Sequence, residues 1–261
     1  MTAQASFKST GSAALDAFFA AALPYARGEI SPDAFVDKVG PSASGTKRLA
    51  LYPHIVLGDN RALLNKMFLG AQKATDRYRL GLWDRWLDEF QRQNPPTDWR
   101  VRLYGAPLFE FVKAKRAADP HQPLYLEELV DLAYTRASVL CHPVVEGDEV
   151  MDKTVFVRQY THTTPQYLNA VVDDPDIALP EAKPTIVIVF RSLKTQRPRF
   201  LYPNLGVMLA LARRTNTGAE LIAQFKNVTE DMIALGEATL AEHGVLAPRP
   251  GQDASAPGPG A

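Results

Sequence analysis

The chain has one cysteine, no long apolar run and no net charge, and each absence narrows its class. Cys141 is the only cysteine among 261 residues, which excludes an internal disulfide and is typical of cytosolic proteins. No apolar run approaches the ~20 residues of a membrane span, and no signal-peptide pattern opens the sequence. The formal net charge is +0 at pH 7, so general attraction to nucleic acid or membrane is not expected. We expect a cytoplasmic globular protein.

Sequence motifs for catalysis and for metal binding are also missing. There is no GxxxxGK[ST] or GxGxxG loop and no GxSxG elbow. None of the 5 histidines stands three or four residues from another, the spacing that helical metal sites often use. The histidines are His54, His121, His142, His162 and His243. We expect no catalytic residue, no metal ligand and no cofactor in this chain.

Two tempting groups of side chains have ordinary structural explanations. Cys141 and His142 are adjacent, and adjacent residues in a helix or strand point in different directions, which is poor geometry for a thiolate–imidazole pair. Glu127 and Asp131 share a helix face, but no histidine lies on that face. A buried thiol and a solvated acidic surface are therefore the favoured interpretations.

Helical signals dominate the first half of the chain. Ser12 fits an N-cap of a helix that Pro24 is expected to end, and Ser31 with Pro32 combines an N-cap with an N1 proline. Pro107 is likewise expected at N1 of a later helix. About six helices joined by short loops predict a bundle. Its buried positions are expected to include Leu63, Leu64, Met67, Phe68, Leu80, Trp83, Trp86, Leu87, Phe90, Leu126, Leu129, Val130 and Ala133.

Strand signals appear only in the second half. Residues 153–160 and 185–192 are rich in β-branched and aromatic side chains, and a turn with a further strand at 198–202 completes a hairpin. An acidic, proline-rich loop is expected at 173–184. Helices are expected at 166–172, 204–214, 218–225 and 229–243, the last with Thr229 as its cap.

The pattern as a whole predicts an α+β fold with two domains. A helical bundle occupies residues 12–142, and a small α/β domain with a three-stranded sheet occupies residues 143–247. Residues 1–11 are expected to be a flexible N-terminus. Residues 248–261, rich in Pro, Gly, Ala and Ser, are expected to form a disordered tail.

The remaining feature with functional meaning is a basic cluster around the hairpin. No acidic residue lies between Arg191 and Arg214, so a local positive patch is expected in a neutral protein. A solvated turn and a helix C-terminus that favours cations would explain it, and recognition of an anionic partner is the alternative. The cluster contains Arg191, Lys194, Arg197, Arg199, Arg213 and Arg214.

Nucleic acid and an acidic peptide are the two anionic partners to compare. A winged-helix DNA binder has a recognition helix together with its basic wing, whereas an acidic loop precedes this hairpin. A three-stranded sheet has two edges, to which an extended peptide can add a strand, and nearby cations would select acidic side chains. The predicted peptide-binding residues are Val155, Val157, Arg158, Tyr160, Arg191, Lys194, Arg197, Arg199 and Tyr202.

A series of motifs runs through the helical half. It comprises Arg48, Leu49, Ala50, Tyr52, 63–68, 83–90, Pro95-Pro96, Tyr104-Gly105 and 109–112. The order of these motifs resembles one bacterial family, the DNA-binding-domain proteins encoded beside multinuclear non-haem iron oxidases. The second half is similar to the small α/β domain of partner proteins in methanobactin and 3-thiaglutamate biosynthesis.

The resemblance implies a non-catalytic accessory subunit. In such systems the partner protein binds the leader of a ribosomally made precursor peptide by strand addition. It also docks on a TIM-barrel iron oxidase that modifies a cysteine of the precursor, so the iron belongs to the oxidase and the two chains form a heterodimer. Two alternatives remain. One is a transcription regulator that binds DNA through residues 191–214, and the other is a stand-alone enzyme, ranked last because no catalytic constellation is visible.

Overall fold

A computed structural model describes residues 12–26, 28–41, 52–94, 101–141, 154–213 and 227–246. The fold is α+β, as predicted, with ten helices and one antiparallel three-stranded sheet in these residues. Four predictions lie outside the described residues. They are the flexible N-terminus at 1–11, the domain boundary at 142–143, the helix at 218–225 and the disordered tail at 248–261.

The chain divides into two compact units. The first comprises Met1–Val130 with Val171–Pro175, and the second comprises Asp131–Ala170 with Asp176–Ala261. The first unit is built from helices, and the second contains the sheet.

Seven helices lie between residues 12 and 141 in the described segments, one more than predicted. The additional helix, α4, buries Gly70, Ala71, Ala74 and Thr75. It therefore lacks the stripe of large apolar residues on which the prediction relied. The seven are α1 (Ala13–Ala26), α2 (Pro32–Val39), α3 (Tyr52–Met67), α4 (Leu69–Tyr78), α5 (Leu82–Gln93), α6 (Val101–Ala118) and α7 (Leu124–Cys141).

Proline correctly predicted the start of α2 but wrongly predicted the end of α1 and the start of α6. Ser31 accepts a hydrogen bond from the Ala34 amide at 3.2 Å, with Pro32 at the first helical position, so that cap is confirmed. Helix α1 does not end at Pro24 but continues to Ala26, because burial of Tyr25 against Phe35, with ring centroids 4.4 Å apart, stabilises the last turn.

Pro107 lies inside α6 and does not begin it. A proline in a helix interior costs about 3 kcal/mol or more. Leu108 and Val112 lie one turn apart on the same face of α6, and both are fully buried. Their burial offsets that cost.

The core of the helical unit centres on Trp83. Its ring lies 6.1 Å from that of Phe68, and its indole N–H donates to Asn65 Oδ1 at 2.8 Å. Burial of Leu64, of Phe68 and of the four predicted positions inside α5 is confirmed, whereas Leu63 and Met67 are only half-buried. Leu80 is wrong: it is 88% exposed, because Gly81 adopts a left-handed conformation with φ 70° and α5 begins only at Leu82.

The second unit contains the sheet with its helices, and the predicted strands are confirmed. The strand order is β1-β2-β3, and both pairings are antiparallel. The elements are β1 (Val155–Tyr160), α8 (Thr164–Asp173), β2 (Thr185–Arg191), β3 (Pro198–Leu201), α9 (Leu205–Ala212) and α10 (Glu230–His243).

Both faces of the central strand β2 are covered. On one face, Ile188 and Phe190 belong to a buried cluster with Val207 of α9 and Leu240 of α10. On the other face, Val187 is fully buried as well. Burial in β2 is continuous from Val187 to Phe190, and Ile186 is 41% exposed, so most of the solvent-accessible residues of the sheet lie on its two outer strands.

Thr229 caps α10, as predicted, by accepting a hydrogen bond from the Met232 amide at 3.3 Å. We expect Thr229→Ala to lower the free energy of unfolding by about 1 kcal/mol, because the amide loses its partner. Thr229→Ser keeps the hydroxyl and is the matched control. Urea denaturation followed by circular dichroism checks this; equal stability of the Ala and Ser variants would contradict it.

Candidate functional site

The outer edges of β1 and β3 are the sheet's free margins in the described part of the chain. Only β2 pairs with each of them there. A strand at the edge of a sheet presents a row of backbone N–H and C=O groups that a further strand can bond. Which residues present those groups follows from the register.

The hydrogen-bonding register can be followed across the sheet from the hairpin. The Ser192 amide donates to the Arg197 carbonyl at 3.0 Å, so this pair is hydrogen-bonded. In antiparallel sheets, hydrogen-bonded and non-hydrogen-bonded pairs alternate. Phe190 and Ile188 therefore bond to β3, whereas Val189 and Val187 bond to β1.

The same alternation assigns the outward-facing groups of β1. Phe156 is opposite Val189 and Arg158 is opposite Val187, so these residues of β1 direct their backbone groups toward β2. The outer edge is then lined by the backbone amides and carbonyls of Val155, Val157 and Gln159. This row offers three donors to a guest strand.

The outer edge of β3 is a poorer template. The strand has 4 residues and begins with Pro198, whose outward position carries no N–H. Of the outward positions in β3, only Phe200 provides an amide. A short strand that starts with proline is one of the ways in which proteins protect an edge, so β1 is the better candidate.

Among the predicted residues of β1, Val155 and Tyr160 are buried and Val157 is 42% exposed. The Tyr160 hydroxyl donates to Asp131 Oδ2 at 2.7 Å. The buried side chains of Val155 and Tyr160 thus stabilise the strand, whereas the side chain of Val157 is accessible to a ligand.

Arg158 is the charged residue of β1, and three contacts fix its side chain. Its Nε lies 3.3 Å from Asp131 Oδ2, and its guanidinium lies 5.5 Å from the centroid of the Phe156 ring. Its Nη1 donates to the Val157 carbonyl at 3.4 Å. The side chain therefore runs from the α7 side of the sheet to the outer edge.

The basic cluster divides into two parts with different surroundings. Lys194, Arg197 and Arg199 are exposed on the hairpin, whereas Arg213 pairs with Glu230 at 2.7 Å. Arg191 is half-buried at the end of β2. Arg214 lies outside the described residues. The charge available to a partner therefore comes chiefly from the hairpin.

Tyr202, the last predicted binding residue, follows β3 and is 47% exposed. Partial burial raises the pKa of its phenol. It lies on the β3 side of the sheet, and the structure does not bring it together with the outer edge of β1.

The side chains considered for catalysis have other environments. The prediction of a buried thiol is wrong: Cys141 is exposed at the end of α7, where its thiol donates to the Ala137 carbonyl at 3.4 Å. His142 lies outside the described residues. Glu127 and Asp131 do not form the predicted solvated surface, because their side chains are only 15% and 18% exposed and pair with Arg116 and Arg158. In the residues that the structure describes, no group of three His, Cys, Asp or Glu is arranged to hold a metal ion.

Two contributors to the site were not predicted. Gln159 matters through its outward amide, which only the register of β1 against β2 reveals. Asp131 was noted as an acidic residue on a helix face, but its bond to Arg158 joins residues that are far apart in sequence, and no local pattern predicts it.

No family model matches the sequence, and no curated protein shows significant similarity to it. None of the helices in the described segments combines the length and apolarity that crossing a bilayer requires.

Proposed function

We propose that this chain is a non-catalytic accessory subunit that binds the leader of a ribosomally made precursor peptide and presents the precursor's cysteine to a partner oxidase. The observation that carries the proposal is the outer edge of β1, with three outward amides and no pairing strand in the described residues. An extended leader would add to this edge as a fourth strand.

The mechanism is positional. Holding the leader on the sheet raises the effective concentration of the precursor's cysteine at the oxidase. The iron and the oxidative chemistry belong to the partner, a TIM-barrel multinuclear non-haem iron oxidase, and the helical unit supplies the docking surface. The sequence resemblance to accessory proteins of peptide-modifying oxidases supports these assignments. We place the complex in the cytoplasm, where a lone thiol such as Cys141 stays reduced.

Co-expression with the oxidase and the precursor tests the proposal. We expect genes for both proteins beside the gene of this chain, co-purification of the chain with the oxidase, and modification of the precursor's cysteine only when all three are present. An oxidase that modifies its precursor equally fast without this chain would contradict the proposal.

The exposed hairpin cations supply a second contact for the leader. The hairpin lies at the end of the sheet where β1 begins, two strand spacings, or about 10 Å, from the outer edge. Acidic residues next to the leader segment that binds β1 would reach the hairpin. Their charge would then add affinity that falls as the ionic strength rises.

The double variant Arg197→Glu with Arg199→Glu is expected to weaken an acidic leader roughly tenfold at low ionic strength, with a smaller loss at high ionic strength. Fluorescence anisotropy of a labelled leader measures this. The matched control reverses the charge of two exposed lysines of the helical unit, Lys66→Glu with Lys73→Glu. This variant is expected to bind the leader as tightly as the wild type does. Equal binding by both double variants would remove the hairpin from the site.

The same three cations favour a second candidate function, a transcription regulator. Lys194, Arg197 and Arg199 on an exposed hairpin resemble the basic wing of a DNA-binding domain. This candidate predicts binding to duplex DNA without any peptide and a steep loss of affinity with salt. Absence of duplex binding at low salt would exclude it.

A further inference from the structure

The two faces of β1 present different chemistry beside the outer edge. On the face that α9 and α10 cover, cross-strand pairing of Val157 with Ile188 and of Gln159 with Ile186 places these residues together. Val157 is 42% exposed and Ile186 is 41% exposed. They are diagonal neighbours, about 7–8 Å apart between Cα atoms in such sheets, so an apolar patch on this face begins at the edge with Val157 and continues inward to Ile186.

On the opposite face the edge is bordered by a fixed cation. Asp131 and the Phe156 ring hold one side of the Arg158 guanidinium, while Nη1 lies 3.4 Å from the Val157 carbonyl. That carbonyl points outward, so the free side of the guanidinium lies where a guest strand would run. Because Asp131 also accepts the Tyr160 hydroxyl, the carboxylate that orients Arg158 is itself held in place.

We infer that the outer edge of β1 selects an extended segment with apolar residues at alternating positions and an acidic residue between them. The inference rests on the proposed function and specifies its ligand. One apolar side chain packs beside Val157, the next lies beside Gln159 with Ile186 one strand further in, and the acidic side chain faces Arg158.

The acidic residue meets a donor beside the guest strand. The outward carbonyl of Val157 has two lone pairs and Arg158 Nη1 has two N–H groups, so the carbonyl accepts a guest amide without displacing Nη1. The second N–H of Nη1 then donates to the guest carboxylate in a charge-assisted bond, stronger than a bond to a neutral acceptor. Asp131 keeps the Nε side, so the guanidinium bridges two carboxylates.

Three synthetic peptides that differ at one position test the inference. Each contains a Thr-Val-Xaa-Val-Thr core between Gly-Ser arms, with Xaa as Glu, Gln or Lys, and is titrated up to millimolar concentration while the Val157 and Gln159 amide signals are followed by NMR. We expect affinity in the order Glu, Gln, Lys, with roughly tenfold between Glu and Gln, the size typical of a hydrogen bond to a charged group.

Two protein variants assign that difference to Arg158. Arg158→Gln is expected to bring the Glu and Gln peptides within about twofold of each other, since the charge-assisted bond is lost. Asp131→Asn keeps an acceptor for Tyr160 but removes the competing charge, so the preference for Glu should widen. An unchanged Glu preference in Arg158→Gln would overturn the assignment.

The outcome also separates this inference from the function on which it rests. If Gln159→Pro abolishes binding but the Glu and Lys peptides bind equally well, the inferred sequence pattern is overturned. Strand addition to the outer edge of β1 is then still supported. If none of the three peptides shows binding that Gln159→Pro abolishes, the inferred pattern is overturned as well. The proposed function is then judged by the co-expression experiment alone.

Discussion

Gln159→Pro is expected to abolish peptide binding by this protein, whereas Gln159→Ala is expected to leave it nearly unchanged. Gln159 is exposed, and the register directs its backbone amide away from β2. Proline removes that amide and places a ring where the guest strand would lie. We expect a loss of roughly a hundredfold, because the guest carbonyl loses a bond and is left unsatisfied at a cost of about 1–3 kcal/mol.

The fold should tolerate this proline, since the amide that it removes makes no bond within the sheet and edge strands accept proline at such positions. Gln159→Ala removes the same side chain but keeps the amide, which makes it the matched control. Isothermal titration with the leader, beside thermal unfolding of both variants, gives the comparison. A folded Gln159→Pro variant that binds like the wild type would place the guest strand elsewhere, either on β3 or on the hairpin.

Gly236→Ala is expected to cause the largest loss of stability of any single methyl group added to the second unit. A Cβ at this position would overlap the Gly206 carbonyl and lie 2.8 Å from the Val207 amide nitrogen. Both groups are backbone at the start of α9, so the contact can be relieved only if α9 and α10 move apart. That movement would open the cluster around Val207 and Leu240.

We expect the free energy of unfolding to fall by about 3 kcal/mol, the upper part of the range for overpacked cores. Gly58→Ala in α3 is the matched control, because nothing lies within 4 Å of a Cβ there. Replacing a helical glycine with alanine in open space should stabilise by up to about 1 kcal/mol. Chemical denaturation of both variants measures the two effects, and a Gly236→Ala protein as stable as the wild type would show that α9 and α10 are not packed this closely.

The parts of the fold that sequence predicted correctly are those with local causes. Ser31 and Thr229 each lie three residues before the amide that they cap, so the signal and its structural result share one turn. The β-branched run that becomes β2 is equally local, because burial on both faces requires apolar residues at successive positions.

The wrong predictions arose where packing overrode a local rule. Pro24 and Pro107 should have marked helix boundaries, but burial of Tyr25 and Leu108 beside them outweighs the lost hydrogen bonds. Leu80 fits the helical period of α5, yet Gly81 turns the chain before the helix begins. A period in sequence does not show where a helix starts.

The candidate site was predictable as a strand with exposed positions but not as an edge with a definite set of donors. The outward amides of Val157 and Gln159 depend on the register with β2, which a segment distant in sequence sets. The orientation of Arg158 depends on Asp131 in α7. Contacts of this kind are decided by the tertiary fold.

Amide hydrogen exchange at Val157 and Gln159, measured by NMR with and without the leader, tests the central claim most directly. If a guest strand bonds to the outer edge of β1, both amides exchange rapidly in the free protein and become protected when the leader binds, while the amide of Arg158, which faces β2, is slow in both states. Slow exchange at Val157 and Gln159 in the free protein would mean that the edge is already covered, and rapid exchange in the complex would mean that the leader binds elsewhere. Either result would contradict the account.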